Sequence, residues 1–169
     1  MKVVAQIFGV IALIVWIISI QNNDKEKVLK LQFVATFFYS IGYLMLGAYT
    51  AASLTAVSAV RSLVFSRENK FTKSLWSIIV FAVLIIVISV VTFDDVLSFI
   101  PAVITMSHCI AAWSPNLKDM RVMFIVCALG WLGYNFIVGA YAVAIGNIFE
   151  VIGGIVAMLR FDKRKKNAW

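Results

Sequence analysis

The chain has 169 residues, of which 63% are hydrophobic and 14% charged, with a mean hydropathy of +0.98. A water-soluble monomer of this size cannot cover so much apolar side chain, and disorder is excluded because its signature is low hydrophobicity. The net charge of +7 comes from 15 Lys and Arg against 8 Asp and Glu, but the basic residues are scattered between apolar segments, a membrane orientation signal rather than a nucleic-acid footprint.

Seven apolar segments occupy residues 3–20, 31–46, 50–65, 74–92, 96–113, 122–138 and 142–159. Each approaches the roughly 20 residues that a membrane helix needs. The first reads as a span and not as a cleaved signal, since its apolar run is long and no small-x-small site precedes Gln21-Asn22-Asn23-Asp24. Trp16 near its end, like Trp76 and Trp113 in later segments, reads as a headgroup anchor. The second and third segments meet at Gly47-Ala48-Tyr49, and the sixth and seventh at Gly139-Ala140-Tyr141. Each pair predicts a tight hairpin, because one unbroken helix of about 35 residues would overrun a hydrocarbon core of roughly 30 Å. The fourth segment is almost wholly apolar and reads as a linker.

Thirteen of the fifteen cationic residues follow segments one, three, five and seven: Lys25, Lys27 and Lys30, then Arg67, Lys70 and Lys73, then Lys118 and Arg121, then Arg160 and the tail. The opposite side holds Lys2, with Asp94 and Asp95 in its acidic turn. Seven spans put all four basic regions on one side, which is then cytoplasmic, with the N-terminus outside. An even number of spans would separate the basic tail from the rest.

The first three and last three segments resemble two copies of one unit. Ser40-Ile41-Gly42-Tyr43 parallels Trp131-Leu132-Gly133-Tyr134 at a shift of 91, and Gly47-Ala48-Tyr49 parallels Gly139-Ala140-Tyr141 at a shift of 92. The expected fold is an all-α membrane protein of seven transmembrane helices in a 3+1+3 arrangement of parallel repeats. Residues 1–66 form the first repeat, 67–93 the linker with helix four, 94–160 the second repeat and 161–169 a basic cytoplasmic tail.

Polar groups inside these segments are the candidates for chemistry. Glu150 stands near the middle of the seventh segment, where an ionised carboxylate raises the cost of insertion by roughly 2.5–3.5 kcal/mol unless paired, protonated or hydrated. Arg61, in the third segment, is its expected partner in an ion pair or proton-coupling pair, with snorkelling to the nearer interface as the other reading. Thr55, Ser58 and Ser62 share one helical stripe, and Asn147, Glu150 and Gly154 share another. Trp131 and Asn135 share a face of segment six, Tyr39 and Tyr43 one of segment two. Thr55, Ser58, Trp131, Asn135, Asn147 and Glu150 are therefore the expected lining of a mid-membrane substrate site, with ligand-free interhelical bonding as the competing account. Adjacent Ser107 and His108 diverge on a helix, so nucleophilic catalysis has no support, and no catalytic or phosphate-binding motif occurs. Cys109 and Cys127 are isolated in apolar surroundings, and no metal-ligand spacing or cofactor motif is present.

Two family resemblances follow from these motifs. The 3+1+3 plan resembles the SWEET and PQ-loop superfamily. Gly47-Ala48-Tyr49-Thr50-Ala51, followed by Ser58, Arg61 and Leu63-Val64-Phe65, resembles the YgjV family of bacterial inner-membrane proteins, as do Gln21, Trp131, Gly146 and Glu150. The first resemblance implies that Asn147 stands at a substrate-binding asparagine, that Thr55 replaces its counterpart in helix three, and that Trp131 stands at a stacking aromatic. The chain departs from sugar-carrying SWEETs in having only Pro101 and Pro115, and lacks their proline hinges in helices one, two and six. The expectation is a non-enzymatic, cofactor-free carrier or facilitator in the bacterial inner membrane. Its partners would be the lipid bilayer and a small polar solute, without nucleic acid, and its oligomeric state is open. The alternative is a non-transporting receptor or assembly partner of the same fold.

Overall fold

The computed structural model describes residues 2–67, 69–72, 74–93, 96–137 and 141–161. Among them are seven α-helices: α1 (Lys2–Ile20), α2 (Lys25–Met45), α3 (Tyr49–Phe65), α4 (Leu75–Val91), α5 (Phe99–Trp113), α6 (Leu117–Ile137) and α7 (Tyr141–Phe161), with one 3-10 turn, Val96–Ser98, before α5. Four stretches are long and apolar enough to cross a membrane: Lys25–Met45, Val96–Trp113, Leu117–Ile137 and Val143–Phe161. Val4–Ile20, Tyr49–Phe65 and Leu75–Val91 are apolar but shorter.

Helix boundaries follow local capping more closely than hydropathy. α2 starts at Lys25, inside the polar run expected to be a loop, because the Asp24 side chain accepts hydrogen bonds from the backbone N–H groups of Glu26 and Lys27. Lys30 and Glu26 then pair one turn apart. α6 likewise starts at Leu117 rather than at residue 122, where Asn116 Oδ1 accepts from the Lys118 N–H at 3.1 Å. The first expected hairpin turns at Gly47, whose φ of +77° is left-handed backbone that favours glycine. Gly139 and Ala140 of the second, with Asp94, Asp95, Lys73 and the tail from residue 162, lie outside the described residues.

The helices pack in an order that differs from a simple row. α1 packs on α2, α2 on α3, α3 on α5, α5 on α6, α6 on α7, and α7 back on α1. Six helices thus close a ring. α4 docks outside it, on α3 and α5, through Phe81 and Ile85; the Phe81 ring meets Phe65 edge-on at 5.4 Å.

This ring is apolar outside and polar inside. On α7, Ile145, Ile148, Ile152 and Ile155 are exposed while Asn147 and Glu150 are buried. α4 likewise exposes Val80, Val83, Val87 and Val90. An apolar exterior of this extent requires lipid around it. Trp16 does not anchor at an interface as expected: it is buried and packs edge-on against His108 at 5.8 Å. Trp76 is exposed.

One end of the ring is tied by polar contacts. Arg121 Nη2 donates to the carbonyl of Asn22 at 2.9 Å and to Asn23 Oδ1 at 3.2 Å, and its guanidinium lies 5.0 Å from the Phe161 ring centre. Gln21 Nε2 donates to the Gly153 carbonyl at 2.8 Å. Arg121 therefore joins the α1–α2 turn to α6 and the end of α7. Arg121→Ala should lower unfolding stability in detergent by about 3–6 kcal/mol, since its two hydrogen bonds from a charged group each contribute about 1.5–3 kcal/mol. Arg121→Lys should recover less than half, which unfolding midpoints of the three proteins would measure.

Candidate functional site

The polar residues of the ring interior surround one chamber of about 60 Å³. Every ring helix contributes to its wall and α4 contributes nothing. α3 supplies Thr55, Ser58 and Arg61, and α7 supplies Val143, Asn147 and Glu150. α6 brings Trp131 and Asn135, and α2 brings Thr36, Tyr39 and Tyr43. Trp16 from α1 and Thr105 and His108 from α5 complete it. All six residues expected to line a site therefore meet in one place, together with Arg61.

The lining has a regular spacing. Trp16 and His108, Tyr39 and Trp131, Tyr43 and Asn135, Thr55 and Asn147, and Ser58 and Glu150 are each 92 residues apart, and all ten line the chamber.

Glu150 is the acceptor at the end of a short polar chain. Asn135 Nδ2 donates to Asn147 Oδ1 at 2.9 Å, which orients the Asn147 amide so that its Nδ2 donates to Glu150 Oε2 at 3.2 Å. From α2, Tyr39 Oη donates to Glu150 Oε1 at 3.4 Å. Each carboxylate oxygen thus receives one donor, leaving capacity for a further bond at each. The expected ion pair is not formed: no Arg61 nitrogen lies within 4.0 Å of Glu150, although both side chains face the same chamber.

Arg61 does not snorkel. It is 1% exposed, and Nη1 makes one long contact, to the Thr105 carbonyl at 3.5 Å. Its Nε and the Nδ1 of His108 have no hydrogen-bond partner among the described residues. Breaking a buried pair and leaving a charge uncompensated typically destabilises a protein by about 3–5 kcal/mol. Arg61 and Glu150 face one chamber without contact, so neither side chain is the other's partner.

The hydroxyls play smaller parts. Thr55 Oγ1 bonds back to the carbonyls of Ala51 and Ala52, and Ser62 Oγ to that of Ser58, so both serve their own helix. Sequence reasoning missed Trp16, Thr36 and Thr105 as lining. It also passed over Gln32, one turn before Thr36 on the same face of α2, which is fully buried with neither amide atom hydrogen-bonded among the described residues. Its signal was available, as a lone amide in an apolar helix.

Beyond the chamber toward Arg121 the interior narrows. A second cavity of about 10 Å³, room for about one water, shares Trp16 and Glu150 with the chamber and ends at Arg121. Gly154 lets Ile125 close this end: a Cβ at Gly154 would come within 2.7 Å of Ile125 Cγ1. Trp16, Phe124 and His108 meet beside it, edge-on or tilted, at ring separations of 5.2–5.9 Å. Cys109 and Cys127 are free thiols buried in the packing, and no group of three or more His, Cys, Asp or Glu among the described residues is placed to hold a metal.

Comparison with known proteins places this architecture. Residues 3–165 match the family Imp-YgjV, described as bacterial inner membrane protein. The chain is also similar to the inner membrane protein YgjV of Escherichia coli (strain K12), with 27% identity over 163 residues, covering 95% of this chain and 87% of that protein. No solved structure matches.

The Asn135–Asn147–Glu150 chain generates a measurable expectation. Asn147→Ala strands both the Asn135 amide and a Glu150 oxygen, whereas Asn135→Ala removes only the outer link. Buried polar groups left without a partner cost about 1–3 kcal/mol each, so Asn147→Ala should destabilise by about twice as much as Asn135→Ala. The double variant should fall short of additivity by about 1 kcal/mol. Unfolding midpoints of the two single variants and the double would measure this coupling.

Proposed function

Because this chain belongs to the Imp-YgjV family of bacterial inner membrane proteins, its ring lies in a lipid bilayer, and we propose that the chamber is the solute site of a small-molecule carrier or facilitator. The observation that carries this reading is the concentration of polar side chains from all six ring helices around one cavity, within an exterior that is apolar. Intramembrane ionisable groups that face an enclosed space mark solute and ion pathways.

We read all seven helices as crossings. The shorter three reach 17 residues, about 25 Å of helix, at the low end of what spans a bilayer. Two three-helix units then form a SWEET-like pair of parallel repeats joined by α4, with the N-terminus outside and the basic ends in the cytoplasm. Two observations support the repeat. The α3–α5 and α7–α1 junctions are equivalent under it, and so are the five lining pairs at a spacing of 92. An axis through the ring exchanges one unit for the other, as in carriers built from parallel repeats.

A carrier must seal one end of its site while the other is accessible. The cluster of Trp16, Phe124 and His108, closed further by Ile125 on Gly154, supplies that seal on the side of the basic loops. Rocking of the two units about the α3–α5 and α7–α1 junctions would transfer the seal to the other end.

Reporter fusions after Lys30, Lys70 and Lys118 should all report cytoplasm; a periplasmic signal at any of them contradicts the seven-crossing topology. Purified protein in proteoliposomes should exchange a labelled solute from a panel of small polar metabolites. Absence of counterflow for every solute would leave the receptor or assembly-partner reading as the account of the family.

A further inference from the structure

The charges of the chamber point to a more specific ligand. In the ring order α1, α2, α3, α5, α6, α7, helices α3 and α7 stand third and sixth, so they face each other across the interior. Arg61 projects from one and Glu150 from the other, both into the same chamber and without mutual contact. Resting on the carrier reading above, we propose that the chamber binds a small zwitterion, an α-amino acid with a short side chain, with its carboxylate at Arg61 and its ammonium at Glu150.

Each wall is equipped for its end of such a ligand. Arg61 is nine-tenths buried or more, and its Nε has no hydrogen-bond partner among the described residues, nor does Nδ1 of neighbouring wall residue His108. A guanidinium with free N–H groups in an enclosed site is the preferred receptor for a carboxylate. Glu150 is also more than nine-tenths buried, and its bonds from Asn147 and Tyr39 leave acceptor capacity at both oxygens for an ammonium. Trp131 and Tyr43 in the wall add aromatic faces that attract a cation.

Size and net charge narrow the class. A water needs about 10–15 Å³ of such volume, so a chamber of about 60 Å³ has room for roughly four to six waters and suits a ligand of few non-hydrogen atoms. Glycine and alanine are ligands of that size. A ligand carrying a single charge would satisfy one wall and leave the other without a counter-charge. A zwitterion gives each wall its counter-charge while adding no net charge to the chamber.

The test compares alanine with its two halves on the wild-type protein. Calorimetric titration of purified protein in nanodiscs would use L-alanine, propionate, ethylamine and glucose. L-Alanine should bind at least tenfold more tightly than propionate or ethylamine, and glucose should give no signal. Arg61→Gln and Glu150→Gln, checked for folding by size-exclusion profile, should each weaken alanine at least tenfold and bring its affinity close to that of the matching single-charge probe. Equal affinity for alanine and either half, or preference for glucose, or no binding of any probe, overturns the proposal. Uptake by the same purified protein reconstituted in proteoliposomes separates it from the carrier reading. Alanine binding without uptake overturns the carrier and leaves the zwitterion site standing, and glucose uptake without alanine binding does the reverse.

Discussion

A polar group facing the hydrocarbon of a membrane has no water with which to pair, so it must be satisfied inside the protein. That single constraint organises this chain. Residues of the kind found at Asn135, Asn147, Arg61 and Glu150 can sit at mid-helix only if their helices turn them away from lipid. Six helices achieve this together by closing a ring with α1 against α7 and α3 against α5. α4 carries almost no polar side chain along its length and has no such need. It is the helix left outside, docked through Phe81 and Ile85 and exposing valines to the lipid.

The interior is regular in position and irregular in chemistry. Lining residues recur at a spacing of 92, yet Ser58 answers Glu150, Tyr39 answers Trp131, and the position that answers Arg61 is Gly153. The ring therefore carries an arginine on one wall and a carboxyl group on the other. Their separation is maintained locally: Asn147 and Tyr39 occupy Glu150, and the Thr105 carbonyl holds the Arg61 guanidinium on its own side. An arginine and a carboxyl group kept apart across one chamber are each left free to meet the complementary end of a ligand.

Much of the fold was legible in the sequence, because lipid exposure writes itself into composition. Seven apolar segments became seven helices, and Gly47 turned the first hairpin as its flexibility foretold. The helix starts at Lys25 and Leu117 were hidden because hydropathy counts charge against a helix, whereas Asp24 and Asn116 cap one. At the site, the six residues singled out by depth and spacing do gather in one chamber with Arg61. The ion pair expected from their proximity does not form, since depth along a helix fixes level but not which wall of a ring a residue occupies. Trp16 was misread for the same reason: position near a span end resembles an anchor, and only the packing order shows that it faces His108.

The central claim is that this interior is a wet, ligand-accessible chamber and not a sealed polar core. Single cysteines at Asn147 and Trp131, with Val83 on the outer face of α4 as the lipid-facing control, in a background where Cys109 and Cys127 are replaced by alanine, test it directly. A small water-soluble maleimide applied to intact membranes should label the Asn147 and Trp131 positions at least tenfold faster than the Val83 position. Reaction at the chamber positions as slow as at Val83, in membranes and in detergent alike, would contradict the account.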